Sequence, residues 1–230
     1  MTSSVNDLTF GQKVIEFHHA IDPPDNLPGG VEWINNLDQE DTQKCIEAFY
    51  NAYFSDHHSR LFLFGINPGR HGAGLTGVGF TDPTYLEERC LIPNPFPKRH
   101  ELSSHFIYQV IDAYGSVQDF YRDHYITALL PIGLLKNGKN YNYYDDRETI
   151  AALEPFIIEC VNAQIAFGTR RDRAICIGMG KNYRYFSELN QREKWFDKIT
   201  PVPHPRWVMQ YKLKDKHRYI DEYLRVLNLD

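Results

Sequence analysis

The sequence is sparing with cysteine and has no long apolar run, and both shortages narrow what the protein can be. Its four cysteines, Cys45, Cys90, Cys160 and Cys176, stand far apart with no CxxC pair, which argues against a zinc ribbon or a redox pair. They read as reduced, mostly buried thiols. No run of about 18 apolar residues occurs, so no transmembrane helix is expected. The opening stretch MTSSVNDLTFGQ has neither a basic region nor an apolar core, so no secretory signal is expected and the protein is placed in the cytoplasm. The histidine pairs His18-His19 and His57-His58 lack carboxylates or cysteines at ligand spacing and read as surface residues, not metal ligands. A P-loop and a GxGxxG dinucleotide fingerprint are both missing.

What is present is a globular composition, 42% apolar and 24% charged over 230 residues, a length that suits one well-buried α/β domain. The net charge of −5 is unevenly placed: residues 1–60 hold ten acidic and three basic side chains, leaving 22 basic against 20 acidic beyond them. In that remainder Arg206, Lys212, Lys214, Lys216 and Arg218 face only Asp215, and Arg170, Arg171, Arg173, Lys181 and Arg184 face only Asp172. Local basic runs of this kind matter more than the total when the partner is a polyanion; the competing reading is two solvated faces.

Along the chain, Phe10, Val14 and Phe17 lie at helical spacing, predicting a helix over 6–19 capped by Asn6 or Asp7. Residues 21–30, with three prolines and two glycines, form a loop. A second helix is expected within 37–54, its acidic start favoured by the helix dipole. Residues 61–64 are apolar without alternation, as in a central parallel strand covered on both faces. Residues 91–99 are too proline-rich for regular structure and are expected at one rim of a cleft. Further helices are expected at 102–114, 147–167, 182–196 and 212–227, and strands at 125–130, 174–178 and 198–202, with 133–146 a polar loop. This alternation predicts a three-layer α/β/α sandwich around a four-stranded parallel sheet. A single domain spans 1–230, with residues 1–60 a helical extension packed on it.

Two loops carry the chemistry. After the first strand comes GINPGRHGAGLTGVGF, residues 65–80, and after the last comes His204-Pro205-Arg206. Both follow apolar strands, so they are expected to face each other at the carboxyl edge of the sheet, where open α/β sheets bind ligands. The first loop resembles the leading motif of the single-strand-selective monofunctional uracil-DNA glycosylases, G-M-N-P-G followed after a spacer by T-G-V-P-F. The second resembles a shortened form of that family's H-P-S-P-R. The resemblance runs from about residue 60 to 218 and includes the order and separation of the two loops.

It implies a uracil-DNA glycosylase-like fold and hydrolysis of the bond between deoxyribose and a deaminated base. In that scheme Asn67 orients the attacking water with its amide oxygen, and His204 donates a hydrogen bond to a carbonyl of the departing base. Gly65, Ile66, Pro68 and Gly69 line the base pocket, and Phe80 stacks on the base. The backbone amides of Gly69 and Arg70 face phosphate or base carbonyls. Pro205, Arg206, Trp207 and Lys212 face DNA, with Arg206 and Trp207 wedged into the space left by the extruded nucleotide. Gly69 lacks the bulk that excludes thymine elsewhere in the superfamily. No cofactor and no metal are called for, and the expected partner is single- or double-stranded DNA, met by a monomer that associates with the nucleoid.

One departure stands out. The family's H-N-x-C-P segment, whose asparagine reads uracil, is here Thr127-Ala128-Leu129-Leu130-Pro131, so a methyl stands where an amide belongs. A deaminated purine, xanthine or hypoxanthine, becomes an additional or main substrate, with Thr127 or Asn137 as replacements for the lost contact. The alternative is a non-catalytic domain that binds a base or damaged DNA in the same cleft.

Overall fold

The structure is a computed structural model that describes residues 8–25, 27–34 and 36–228. Helix α1 (Phe10–Ala20) starts at a capping box in which Thr9 and Gln12 satisfy each other's backbone amides. The expected caps Asn6 and Asp7 lie outside the described residues. The N-terminal segment is not purely helical, because strand β1 (Val31–Ile34) follows the proline-rich loop. Helix α2 (Glu40–Tyr53) carries Glu40 and Asp41 in its first turn, where the dipole favours them.

Strand β2 (Leu61–Gly65) is buried along its whole length. The glycine-rich loop contains the short helix α3 (Ala73–Thr76) and leads to α4 (Pro83–Glu88). Buried Asp82 caps α4 by accepting from the Thr84 and Tyr85 amides, and Pro83 at its first position gives up no bond. Helices α5 (Leu102–Tyr114) and α6 (Val117–Asp123) precede strand β3 (His124–Ala128). Residues expected to form a loop instead make a hairpin, β4 (Gly133–Lys136) and β5 (Lys139–Tyr141). Its tip, Asn137-Gly138, has φ of 52° and 67°, the left-handed pair a tight two-residue hairpin turn requires.

Helix α7 (Arg147–Ile165), strand β6 (Ala174–Ile177), helix α8 (Lys181–Glu193) and strand β7 (Ile199–Val202) complete the alternation. A short helix not among those expected, α9 (Pro205–Tyr211), follows β7, and the expected last helix, 212–227, opens with one 3-10 turn at Leu213–Asp215 before α10 (Lys216–Leu227).

The main sheet has the order β3-β2-β6-β7, all parallel. Phe62 and Phe64 alternate onto one face, where they meet Phe10 of α1 and Phe186 of α8 at ring separations of 5.9 and 5.0 Å. Helices α5, α9 and α10 form the opposing layer, joined by contacts such as Phe106 against Tyr223 at 5.3 Å. A second, antiparallel sheet, β1-β4-β5, stands beside the first. All four cysteines are buried and unpaired. Among the described residues no helix is long and apolar enough to cross a membrane.

Candidate active site

The strand order reverses about β2, so the loops leaving β2 and its neighbours part and open a crevice at the carboxyl edge. A cleft of about 850 Å³ lies there. Its walls come from the glycine-rich loop, the ends of β3 and β5, the start of α5 and the start of α9. The base of the glycine-rich loop is fastened to the segment after β3, since the Leu129 and Leu130 amides donate to the Gly65 and Ile66 carbonyls, each at 3.2 Å.

Asn67 is half-buried in this cleft and its amide is held at both ends. Nδ2 donates to the Tyr141 carbonyl at 3.0 Å, and Oδ1 accepts the Tyr143 amide at 3.3 Å. Both partners belong to the hairpin and its exit, so the antiparallel sheet orients the asparagine. A carbonyl oxygen has two lone pairs, which leaves Oδ1 one acceptor direction for a water.

His204 ends the segment after β7 and caps α9. Its Nδ1 accepts the Arg206 amide at 3.2 Å, so the neutral ring carries its proton on Nε2. Burial first, and the Arg206 guanidinium second, push its pKa down to about 4. The ring is therefore an uncharged donor at neutral pH.

Phe80 lies 5.9 Å from His204, ring centre to ring centre, and closes the same wall. A Cβ on Gly65 would come within 2.8 Å of the Phe80 ring, so glycine is required for this approach. Phe80 itself has φ of 52°, a strained conformation for a bulky side chain and one that recurs at ligand sites.

Ile66, Pro68, Gly69 and Ala128 also line the cleft. Other expectations need correction. Thr127 is at the cleft wall, but its hydroxyl donates to the buried Gln164 of α7, so it is turned away from a base. Asn137 sits exposed at the hairpin tip and is not in the cleft wall. The Arg70 amide donates to Asn140 Oδ1 at 3.2 Å, so it is not open to a phosphate. Pro205 is buried as the first residue of α9, whereas Arg206 and Trp207 are exposed at that rim, as are Gln210 and Tyr211. Lys212 lies against the Trp207 ring at 5.8 Å.

The rim expected from residues 91–99 is supplied by the next four residues, His100, Glu101, Leu102 and Ser103. The arginine run 170–173 precedes β6 and so lies at the amino edge of the sheet, with Arg170 paired to Asp172 and Arg173 bonded to the Val226 carbonyl. Only the basic run at 206–218 borders the cleft. His18 is buried, not superficial, and stacks on Tyr50. Among the described residues no cluster of three or more His, Cys, Asp or Glu side chains is placed to hold a metal.

Glu101 and Asn140 are cleft residues with no motif to mark them. Burial, then Asp82, pushes the Glu101 carboxyl up. The Asn-Gly turn and the flanking LLK and KNY triplets are the sequence signal from which the hairpin carrying Asn140 is readable.

The family model for the uracil DNA glycosylase superfamily matches residues 52–228. Among solved structures, the crystal structure of wild-type SMUG2 from Pedobacter heparinus is 41% identical, with a TM-score of 0.92, covering 95% of this chain and 97% of that one. No curated protein matches significantly.

Proposed function

The chain belongs to the uracil DNA glycosylase superfamily, and from that premise we propose a monofunctional enzyme that removes uracil or another deaminated base, xanthine included, from DNA during base excision repair. The observation that carries this reading is the fixed tautomer of His204 in the cleft that holds Asn67. When the N-glycosidic bond breaks, its electron pair leaves with the base and negative charge gathers on the ring carbonyls. An Nε2–H that is already aimed and uncharged stabilises that charge without reorganising. Water bound at Asn67 Oδ1 supplies the oxygen that joins the sugar carbon, and its proton passes to solvent or to the departing base. An asparagine is no general base, so the acceleration comes from positioning and electrostatics.

The target base reaches the cleft by leaving the helix or by lying on a single strand. Phe80 stacks on it, while Arg206, Trp207 and Lys212 meet the flanking DNA. The methyl of Ala128 leaves the base edge unread from β3, which favours a pocket that accepts deaminated purines as well as uracil. The scheme calls on no lysine for strand incision, so the expected product is an abasic site. We read residues 1–60 as part of the same domain, because Phe10 packs directly on Phe62 and Tyr125 of the sheet.

The second reading, a non-catalytic base-binding domain, draws on the engagement of both ends of the Asn67 amide by the hairpin. One assay separates the two. Purified monomer without added metal should create alkali-labile sites in single-stranded oligonucleotides containing uracil or xanthine. Tight binding without base release would favour the second reading.

A further inference from the structure

Ala128 leaves a base without a polar partner from β3, yet the same cleft is lined by two polar groups, Glu101 and Asn140, that no motif accounts for. The oxygen of Asn140 is pinned by the Arg70 amide at 3.2 Å, which fixes the direction of its nitrogen. That nitrogen points at the notch left by Gly69. A Cβ built on Gly69 would lie 3.3 Å from Asn140 Nδ2 and 3.3 Å from Glu101 Oε1. A donor and an acceptor therefore converge on one point in the cleft wall, two residues along the chain from Asn67.

Both groups are held in place. The Glu101 amide donates to Asp82 Oδ2 at 2.8 Å, and the Glu101 carboxyl lies against Gly69 and Gly72. Asn140 sits on β5, next to Tyr141, whose carbonyl binds Asn67. Nδ2 of Asn140 has no hydrogen-bond partner among the described residues, and Glu101 keeps acceptor capacity in either ionisation state.

We propose that Asn140 and Glu101 together read the NH–C=O edge of the extruded base, taking the place of the single amide missing at Ala128. This rests on the glycosylase reading above. Asn140 Nδ2 donates to the ring carbonyl and Glu101 accepts the adjacent ring N–H. Deamination converts an N=C–NH2 edge, acceptor then donor, into NH–C=O, donor then acceptor. The pair therefore complements uracil, hypoxanthine and xanthine alike. Against cytosine or adenine it sets donor on donor and acceptor on acceptor, leaving desolvated groups unpaired. Because pyrimidines and purines share this edge, one pair of side chains serves both. Guanine carries the same edge, so its exclusion rests on other contacts.

The test measures recognition apart from catalysis. Single-stranded oligonucleotides carry a 2′-fluoroarabino nucleoside, whose glycosidic bond resists cleavage, of either uracil or 2-pyrimidinone, which lacks the O4 carbonyl and the N3–H. The unaltered protein should bind the uracil strand more tightly. Asn140→Ala and Glu101→Ala should each shrink that preference about tenfold, the loss expected for a hydrogen bond whose partner stays buried, while binding to the 2-pyrimidinone strand holds within about twofold. Asn140→Asp, which replaces a donor by an acceptor, should abolish the preference. Equal weakening on both strands would mean that these residues only brace the loop, and would overturn the proposal, as would an unaltered protein without preference. Failure of the glycosylase reading shows separately, as absence of base release from an ordinary deoxyuridine strand.

Discussion

His204 takes its orientation from an amide two residues away, whereas Asn67 is held by backbone atoms 74 and 76 residues further along the chain. The two side chains face one cleft, but one is set by its own helix cap and the other by a separate sheet. The local device also fixes chemistry: an N–H pointing at Nδ1 decides the tautomer of an imidazole that burial keeps uncharged. The remote device fixes only geometry, because an amide does not titrate. The histidine should therefore be insensitive to changes elsewhere, while the asparagine should follow the state of the hairpin.

The largest effect should come from removing the two groups. Asn67→Ala is expected to slow single-turnover release of uracil about 10³-fold, and His204→Ala about 10²-fold, the range seen when one charge-stabilising or orienting group is lost. An Asn67→Ala protein within tenfold of the parent would break the comparison, since the group held by the hairpin would then be outside the reaction.

A smaller change separates the two supports. Tyr143 is fully buried and donates to Asn182 Oδ1 at 2.6 Å, so Tyr143→Phe leaves an acceptor unpaired, at a cost of about 1–2 kcal/mol. Melting should fall by about 2–8 °C for a chain of this size. The rate of release should fall with substrate binding little changed, because the anchor of Asn67 loosens while the His204 cap is untouched. A change confined to KM would contradict that assignment.

The mildest test uses pH. His18, His124 and His204 are all held neutral, with pKa values pushed down to about 4 chiefly by burial. An unfolded histidine titrates near about 6.5. Between those values the unfolded chain takes up protons that the folded chain refuses, so stability is complete above about 6.5 and falls as pH drops towards about 4. Denaturant titrations at several pH values should show this slope, and His204→Ala should make it shallower. In the same window the release rate should show no ionisation of His204.

The buried parallel strands and the long helices were legible because burial on both faces makes an unbroken apolar run, and a helix of several turns repeats its period. Helices α4, α6 and α9 span six or seven residues, too few for periodicity, although Asp82-Pro83, Ser116 and His204-Pro205 are cap signals that mark their starts. The hairpin reads as a loop in the sequence because its strands span only four and three residues and the second is polar. That single misreading hid Asn140 and drew attention to Asn137, three residues away at the exposed tip. Thr127 failed for a different reason: alternation along a strand decides which way a side chain points, and here its hydroxyl went to Gln164.

By itself the sequence determined the layered architecture and the pair of loops at the carboxyl edge that carry Asn67 and His204 into one cleft, because apolar patterning and short motifs act over a few neighbouring residues. Only the tertiary structure decided what holds Asn67, which polar groups stand in the cleft wall and which basic run borders it. Those depend on contacts between segments dozens of residues apart, and no local pattern encodes which distant backbone atom will face a given side chain.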